Sequence, residues 1–488
     1  MPGRMEFDFK FGQPGAPRSP RRAAGGPMRI LVLGDFSGRR GRTPDQPSAG
    51  LAERPVLGVD VDNFERLLAR LSPRVQLTPA GEEKQPASIE FRRMDDFHPD
   101  ELYGRLEAFK PLREMRRQVQ EPTSSGWSSG AARETHDAPR AATGREDDRA
   151  TLDRLLGKAP GQATDRRVDI ARFLERIVEP YVLPKGDPQL PELLAAVDEA
   201  ASQKMRAVLH DPAFQALESA WRALRWLVTS LETGEELKIC LLDAAREEIE
   251  DDIRGAGERL EASGLFRLLT SGAAEETGGS WSLLVGNYTF GSDLRDVELL
   301  GALGAMAERL GSSFLAAADP RDWAQDDAPA AARWLALRRA PGARGLGLAA
   351  PRVLLRLPYG RRSDEVERFA FEEIASAGEH EAFLWGNPAF VCALLIGKAF
   401  TERGWSMEPG DVLDLPDLPA YVTVEGDERR MLPCAEVFLT ERAAEAILGR
   451  GLMPLISLRN ANAVHLARFQ SLADPPAALP GPWTRADR

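Results

Sequence analysis

Apolar runs and helical patterns alternate along the start of the chain. Residues 28–33 (MRILVL) form a run bounded by glycine, which is typical of a buried strand. Asp62 is placed to cap a helix, and residues 88–92 alternate in polarity like a strand. A further helix is predicted over 99–119. These elements predict a small α/β unit that ends near residue 119.

Each of these two predicted helices carries one apolar face. The faces contain Phe64 and Leu67 on the first helix, and Leu102, Leu106 and Phe109 on the second. We expect both faces to pack on the 28–33 strand, because burying one such side chain contributes on the order of 2 kcal/mol. The five residues are therefore candidate structural or interface positions.

A longer series of predicted elements begins at Pro191. Its second helix, capped by Asp211, repeats apolar residues at alternating spacings of three and four, so that Trp221 lies in a packing seam. Strands and helices then alternate, as in crossover units on a largely parallel sheet. The predicted strands cover 237–242, 282–285, 313–317, 352–357, 421–424 and 436–439, and the helices 244–253, 293–310 and 388–403, with a last helix and strand within 441–457.

The pattern as a whole predicts an α/β fold of the mixed α+β kind. A small N-terminal α/β unit (28–119) is joined to a larger mixed-sheet α/β domain (150–470). Three stretches are rich in small, polar and turn-forming residues and poor in large apolar ones, so they offer little to bury. We predict a flexible arm over 1–27, a disordered linker over 120–149 and a flexible tail over 471–488.

Composition and charge narrow the functional classes. The chain has 488 residues, of which 43% are hydrophobic and 28% charged, so it can bury real cores. A net charge of -12 disfavours attraction of the whole surface to nucleic acid or anionic lipid. The three cysteines form no CxxC pair, which favours a reducing compartment. Without a long apolar run or a signal-like start, we expect a cytoplasmic protein with no membrane insertion.

Candidate chemistry is sparse. No phosphate-binding, zinc or dinucleotide motif is present, and no catalytic residue, metal ligand or cofactor is predicted. A G-x-S-x-G match at 126–130 has no flanking strand and helix, so we treat it as chance. The loop 34–38 (GDFSG) follows a strand and could present amides to a phosphate or Asp35 to a metal. The alternative is a tight turn in which Asp35 and Ser37 cap neighbouring amides.

Several blocks of sequence resemble the contractile sheath of bacterial type VI secretion. Three blocks resemble the small sheath subunit (TssB or VipA): residues 30–38 (ILVLGDFSG), 59–68 (VDVDNFERLL) and 91–116. Four blocks resemble the large subunit (TssC or VipB): residues 210–228 (HDPAFQALESAWRALRWLV), 283–300, 355–360 (LRLPYG) and 383–390 (FLWGNPAF). In the last block Asn387 is predicted to cap a helix, with Trp385 packed beneath it.

The resemblance implies a structural protein without catalytic activity. In that family the two subunits form a heterodimer that polymerises around an inner tube, so a fusion of both is implied here. Implied partners are other sheath protomers, the inner tube, the baseplate and an AAA+ unfoldase. The unfoldase would bind a short amphipathic segment containing Leu152, Leu155 and Leu156. The alternative is an ordinary helix start packed on the following domain.

Two further readings stay open. The large-subunit resemblance stops near 451–468, where family members usually continue with segments that join neighbouring protomers. The chain is therefore a sheath protomer or, alternatively, a sheath cap, baseplate adaptor or regulator that does not polymerise. A different class of function also stays open: the chain could be an α/β enzyme or a nucleotide-binding protein that uses the 34–38 loop.

Overall fold

The computed structural model describes residues 26–39, 50–77, 87–120, 190–257, 259–275, 280–319, 328–374, 380–425 and 428–483. Residues 1–25 of the predicted arm and all but the first residue of the predicted linker lie outside these ranges. So do Leu152, Leu155 and Leu156 and the 126–130 motif. Their predicted roles therefore stay predictions.

The strands in the described ranges are β1 Met28–Gly34, β2 Leu57–Val59, β3 Arg74–Leu77, β4 Ala87–Glu90, β5 Leu237–Asp243, β6 Leu283–Phe290, β7 Ser313–Ala318, β8 Leu346–Ala350, β9 Val353–Leu354, β10 Trp385–Gly386, β11 Asp414–Leu415, β12 Val422–Glu425, β13 Glu428–Met431, β14 Met453–Ser457 and β15 Val464–Leu466. The helices are α1 Phe64–Leu71, α2 Pro99–Arg105, α3 Lys110–Gln120, α4 Leu190–Leu209, α5 Pro212–Ser230, α6 Arg246–Ala256, α7 Gly264–Glu275, α8 Leu294–Leu310, α9 Ala328–Arg339, α10 Pro388–Arg403 and α11 Glu441–Gly449.

The chain divides into two compact units, and each combines stretches that lie far apart in the sequence. Among the described residues, the sheet unit combines those within 26–97, 210–357 and 380–483, and the second unit combines those within 98–120 and 190–209 with 358–374. The proposed domain boundaries at 28–119 and 150–470 stay predictions, because these units follow spatial contacts rather than stretches of sequence.

A nine-stranded mixed sheet organises the sheet unit, in the order β11-β15-β14-β8-β7-β6-β1-β5-β2. The six strands from β14 to β5 run parallel, whereas β2, β15 and β11 pair antiparallel. The mixed α/β fold class is thereby confirmed. The N-terminal strand β1 does not belong to a small sheet of its own: it lies between β5 and β6.

Helices cover both faces of this sheet. Every residue of β1, β7 and β8 is buried, as expected for parallel strands packed on two sides. On one face, a core that includes Leu31 and Leu33 of β1 is filled from α6, α7 and α8. On the other face, α10 contacts β6, β7 and β8 and packs against α5.

The second unit contains α2, α3, α4 and residues 358–374. Leu102, Leu106 and Phe109 are buried and belong to this unit, whereas β1 belongs to the sheet unit. The predicted packing of their face on the 28–33 strand stays a prediction. Tyr103 stacks on Phe369, with ring centroids 4.6 Å apart. Phe369, from residues 358–374, is thus an apolar partner of Tyr103 that the sequence pattern alone did not reveal.

The helix predicted over 99–119 is interrupted. Leu106 is extended (φ -74°, ψ 127°) and separates α2 from a short 3-10 turn that leads into α3. Pro111 lies in the first turn of α3, where its missing N–H costs nothing; within a continuous helix it would remove the bond to the Glu107 carbonyl. The predicted helix start at Asp62 also shifts by one residue, since Asn63 and Asp60 bond each other's backbone amides.

Two further predictions near the C-terminus are corrected. Residues 436–439 form no strand, because Ala435 makes an isolated bridge to Val353 and the Glu436 carboxylate turns to Arg352. The tail begins later than position 471. Leu472 and Leu479 are buried, and the Leu472 amide donates to the Leu346 carbonyl of β8 (2.8 Å), so Pro and Gly in this stretch shape a packed turn.

The position of β1 makes the N-terminal segment inseparable from the rest of the sheet unit. A protease site inserted at residue 135, within the predicted linker, is expected to yield two fragments that elute together on gel filtration. The physical reason is that β1 would expose two hydrogen-bonding edges and two apolar faces if it left the sheet. Fragments that separate at micromolar concentration would contradict this arrangement; the uncut chain is the control.

Candidate functional site at the junction of the two segments

The junction joins the N-terminal segment of the sheet unit (26–97) to its C-terminal segment (210–357 and 380–483). All seven residues of β1 are in parallel register with β5, from Met28 opposite Leu237 to Gly34 opposite Asp243. The pairing continues at both ends. The Met28 amide donates to the Glu236 carbonyl (2.7 Å), and the Ala244 amide donates to the Gly34 carbonyl (2.8 Å).

The loop after β1 is held by one carboxylate, that of Asp243 at the end of β5. Its Oδ1 accepts from the amides of Phe36 (2.9 Å) and Ser37 (3.0 Å), and its Oδ2 accepts from the Ser37 hydroxyl (2.7 Å). The tight-turn alternative is the one observed: the predicted cap by Asp35 is confirmed, whereas the hydroxyl of Ser37 bonds to Asp243. Asp35 accepts from the Arg39 amide (2.7 Å).

Glycine at position 38 is required by the backbone. Its φ is +72°, and a Cβ there would lie 1.9 Å from the Arg74 carbonyl oxygen. The Arg74 amide donates to the Ser37 carbonyl (3.2 Å), so the loop also touches the start of β3. A side chain at position 38 would separate these two segments.

Arg39 pairs with the Asp243 carboxylate, and Arg54, which donates to the backbone carbonyl of Asp243, extends the network to Glu248 on α6. Arg39 Nε lies 2.8 Å from Asp243 Oδ2, and Arg54 Nη1 lies 2.7 Å from Glu248 Oε2. Glu248 also accepts from the Ala245 amide (2.9 Å) at the start of α6. Burial raises the pKa of Glu248, but hydrogen bonds from Arg54 and Ala245 and the charges of Arg54 and Arg39 bring it below its usual value. The site is thus a set of paired charges.

Trp221 of α5 joins the two segments through its indole. Nε1 donates to the Phe36 carbonyl (2.8 Å), and the ring meets Phe36 and Phe64 edge-on at 5.5 and 5.6 Å. Trp221 is fully buried, and Leu67 is buried on the same helix as Phe64. The predicted seam on α5 therefore packs against the N-terminal segment.

A buried ion pair connects two of the sheath-like sequence blocks, residues 210–228 and residues 355–360. Glu218 of α5 has no exposed surface, and its Oε1 lies 2.8 Å from Arg356 Nε and 2.7 Å from Arg222 Nε. Burial by itself raises the pKa of Glu218, but the two guanidinium groups outweigh it and bring the pKa below its usual value. The LRLPYG block is thereby attached to α5.

The FLWGNPAF block is attached in a similar way. The Ser219 hydroxyl donates to the Trp385 carbonyl (2.9 Å), and the Trp385 indole donates to the His380 carbonyl (2.9 Å). The Asn387 side chain accepts from the Ala389 amide, as predicted for a cap, and also donates to the Tyr288 carbonyl (2.9 Å). Trp385 is half-buried on β10, before the helix that Asn387 caps.

The junction offers little to a ligand. Asp243 occupies the Phe36 and Ser37 amides that a phosphate would need. Within the described ranges, no group of three or more His, Cys, Asp or Glu side chains is arranged to hold a metal ion. The three cysteines are buried, and burial raises the pKa of the Cys392 thiol to about 12, so this thiol is a poor nucleophile. None of the described helices is long and apolar enough to cross a membrane.

Sequence reasoning found the aromatic part of the junction and missed its charges. Asp243, Arg54 and Glu248 were not singled out, nor were Glu218 and Arg356. A local signal existed for one of them: Glu248 stands three residues after Ala245, the spacing of a capping box. Pairs separated by more than a hundred residues carry no such signal.

Two family models match different parts of the chain. The family model VipB (EvpB/VC_A0108, tail sheath N-terminal domain) matches residues 191–473, more than half of the chain. The model described as type VI secretion system, VipA, VC_A0107 or Hcp2, matches residues 22–128. The chain belongs to the type VI secretion sheath family. These matches confirm the resemblance of the chain to both the small and the large sheath subunit.

Two curated relatives come from Pseudomonas aeruginosa. The type VI secretion system sheath protein TssC1 is 31% identical over 309 residues, which is 59% of this chain and 62% of TssC1. The sheath protein TssB1 is 33% identical over 97 residues, which is 19% of this chain and 54% of TssB1. The sheath chain thus spans less than two thirds of each relative.

Replacing Trp221 tests the aromatic anchor. Trp221→Ala is expected to lower the free energy of unfolding by about 3–5 kcal/mol, through lost burial and the cavity that remains. Trp221→Phe keeps the ring contacts and loses the bond to the Phe36 carbonyl, so it should cost only about 1–2 kcal/mol. Urea unfolding measures both values. Equal losses for the two variants would show that ring packing does not anchor the junction.

Acidification tests the buried ion pair. The pKa of Glu218 is lower in the folded than in the unfolded chain, so its stabilisation is present above its usual pKa of 4.5 and is lost as the pH falls through the folded value. Glu218→Gln should cost about 3 kcal/mol at neutral pH, and its difference from the wild type should shrink below the usual pKa. Urea midpoints across this pH range measure it, with exposed Glu402→Gln as control. A constant difference would contradict the assignment.

Proposed function

We propose that the chain is a fused sheath protomer, a structural component of a type VI contractile sheath. The observation that supports this most is the insertion of β1, from the VipA-like segment, between β5 and β6 of the VipB-like segment. A sheath subunit must transmit force through its body without coming apart. A strand bonded on both edges inside a nine-stranded sheet serves that need.

Fusion of the two segments in one chain changes how the protomer forms. Two separate subunits meet at a rate set by their concentrations, whereas tethered segments meet at an effective concentration that can reach about millimolar. The fused protomer therefore has a fixed one-to-one ratio of its two halves. The paired charges around Asp243 and Glu218 fit a load-bearing role better than a catalytic one.

Electron microscopy of the purified chain tests the proposal. We expect tubes or tube segments when the chain is concentrated or mixed with a type VI inner-tube protein. Discrete rings would instead favour the cap or baseplate-adaptor alternative. Particles that stay monomeric in every mixture would contradict a sheath role. Trp221→Ala is a suitable comparison, since a destabilised junction should assemble less.

Recycling by an AAA+ unfoldase is a further part of the proposal. It rests on the sequence of the segment with Leu152, Leu155 and Leu156, whose leucines can share one side of a short helix. A fluorescent peptide covering 146–162 is expected to bind the N-domain of a type VI unfoldase. The matched control carries Leu155→Glu and Leu156→Glu. Equal anisotropy changes for the two peptides, or none at high micromolar concentration, would contradict recognition.

A further inference from the structure

Two exposed surface features of the sheet unit are complementary in charge and both contain exposed apolar side chains. The first is the acidic turn, Asp60, Val61 and Asp62, which follows β2; Val61 is 59% exposed. The second is the basic patch, Val437, Phe438, Leu458 and Arg459, whose three apolar residues are each 40–41% exposed. The three apolar side chains of the basic patch are exposed in one cluster, which is typical of interaction surfaces.

The basic patch is a single surface, although its residues come from two loops. The Arg459 guanidinium lies 5.0 Å from the centroid of the Phe438 ring. Leu458 and Arg459 begin the turn between β14 and β15, which the bond from the Leu458 amide to the Ala463 carbonyl (3.0 Å) closes. The patch therefore presents an apolar floor with a positive charge above it.

The acidic turn is held in a fixed shape. The Asn63 amide donates to Asp60 Oδ1 (2.8 Å), and the Asn63 side chain donates to Asp60 Oδ2 (3.0 Å) and to the Gly58 carbonyl (3.3 Å). Val61 and Asp62 lie at the tip of this turn and are exposed. A preformed tip loses little conformational entropy when it binds.

The two features lie far apart on the nine-stranded sheet. Six inter-strand spacings separate β14 from β2, about 29 Å at the usual spacing. They also lie at opposite ends of the strands. Since β2 is antiparallel to β5, its carboxyl end meets the amino end of the parallel strands, whereas Leu458 follows the carboxyl end of β14. The acidic turn therefore cannot reach the basic patch of its own sheet.

We propose that the acidic turn of one copy docks on the basic patch of a second copy, with Val61 against Phe438 and Leu458 and with Asp62 paired to Arg459. The acidic turn and the basic patch are opposite in charge and both expose apolar side chains, so each surface is a suitable partner for the other on a second copy of the chain. Because the two surfaces differ, the contact is head-to-tail and leaves one unused surface at each end, so it can repeat. This inference rests on the proposed function and specifies a surface through which copies associate.

Charge reversal tests the docking. Asp62→Arg and Arg459→Glu are each expected to weaken self-association about tenfold, measured by sedimentation at fixed salt, because each places like charges in contact. The double variant restores the opposite charges and should recover most of the affinity. Glu402→Arg, an exposed reversal on α10 outside both surfaces, is the matched control. Thermal unfolding of each variant should match that of the wild type, since both side chains are exposed.

Three other results would overturn the docking, and they separate its failure from failure of the sheath proposal. Undiminished assembly of both single variants would exclude this contact and leave the sheath proposal intact. Weakening without recovery in the double variant would exclude a direct pairing of Asp62 with Arg459. A wild-type chain that stays monomeric at every concentration and with the inner-tube protein would overturn both the docking and the sheath proposal.

Discussion

The bonding of β1 along both edges is the constraint on which the rest of the sheet unit depends. A parallel strand buried on both faces has no stable existence outside its sheet, because its amides and carbonyls need partners on each side. Once β1 is in register with β5, Gly34 stands opposite Asp243, and the following loop comes within reach of that carboxylate. The turn, the charge network and the indole anchor all follow from this register.

The sheath-like sequence blocks act mainly through contacts with one another. Glu218 and Arg356 come from two blocks and form a buried ion pair, and Asn387 reaches from a third block to the carbonyl of Tyr288 in a fourth. Burying such groups costs desolvation energy, and their mutual attraction and hydrogen bonds offset this cost only when every partner is in place. They therefore favour a single arrangement of the chain over alternatives of similar compactness, which suits a protomer that must repeat its shape in an assembly.

The charges at the junction also explain why the 34–38 loop does not offer its amides to a phosphate. A glycine-rich turn after a parallel strand usually leaves its amides open to an anion. Here the protein supplies the anion itself, since Asp243 accepts from both amides and Arg39 balances its charge. The same geometry that could have held a phosphate instead joins the two segments.

The sequence by itself determined the local elements, because they depend on spacing within one stretch of chain. The periodicity of α5, its cap at Asp211, the cap at Asn387 and the buried run of β1 were readable in this way. Only the tertiary structure decided which stretches meet. Leu102 and Phe109 belong to the compact unit that contains residues 358–374, and Asp243 accepts from the loop amides, because both arrangements depend on contacts across about one to three hundred residues. Apolar periodicity shows that a face will be buried, but it does not name the surface that buries it.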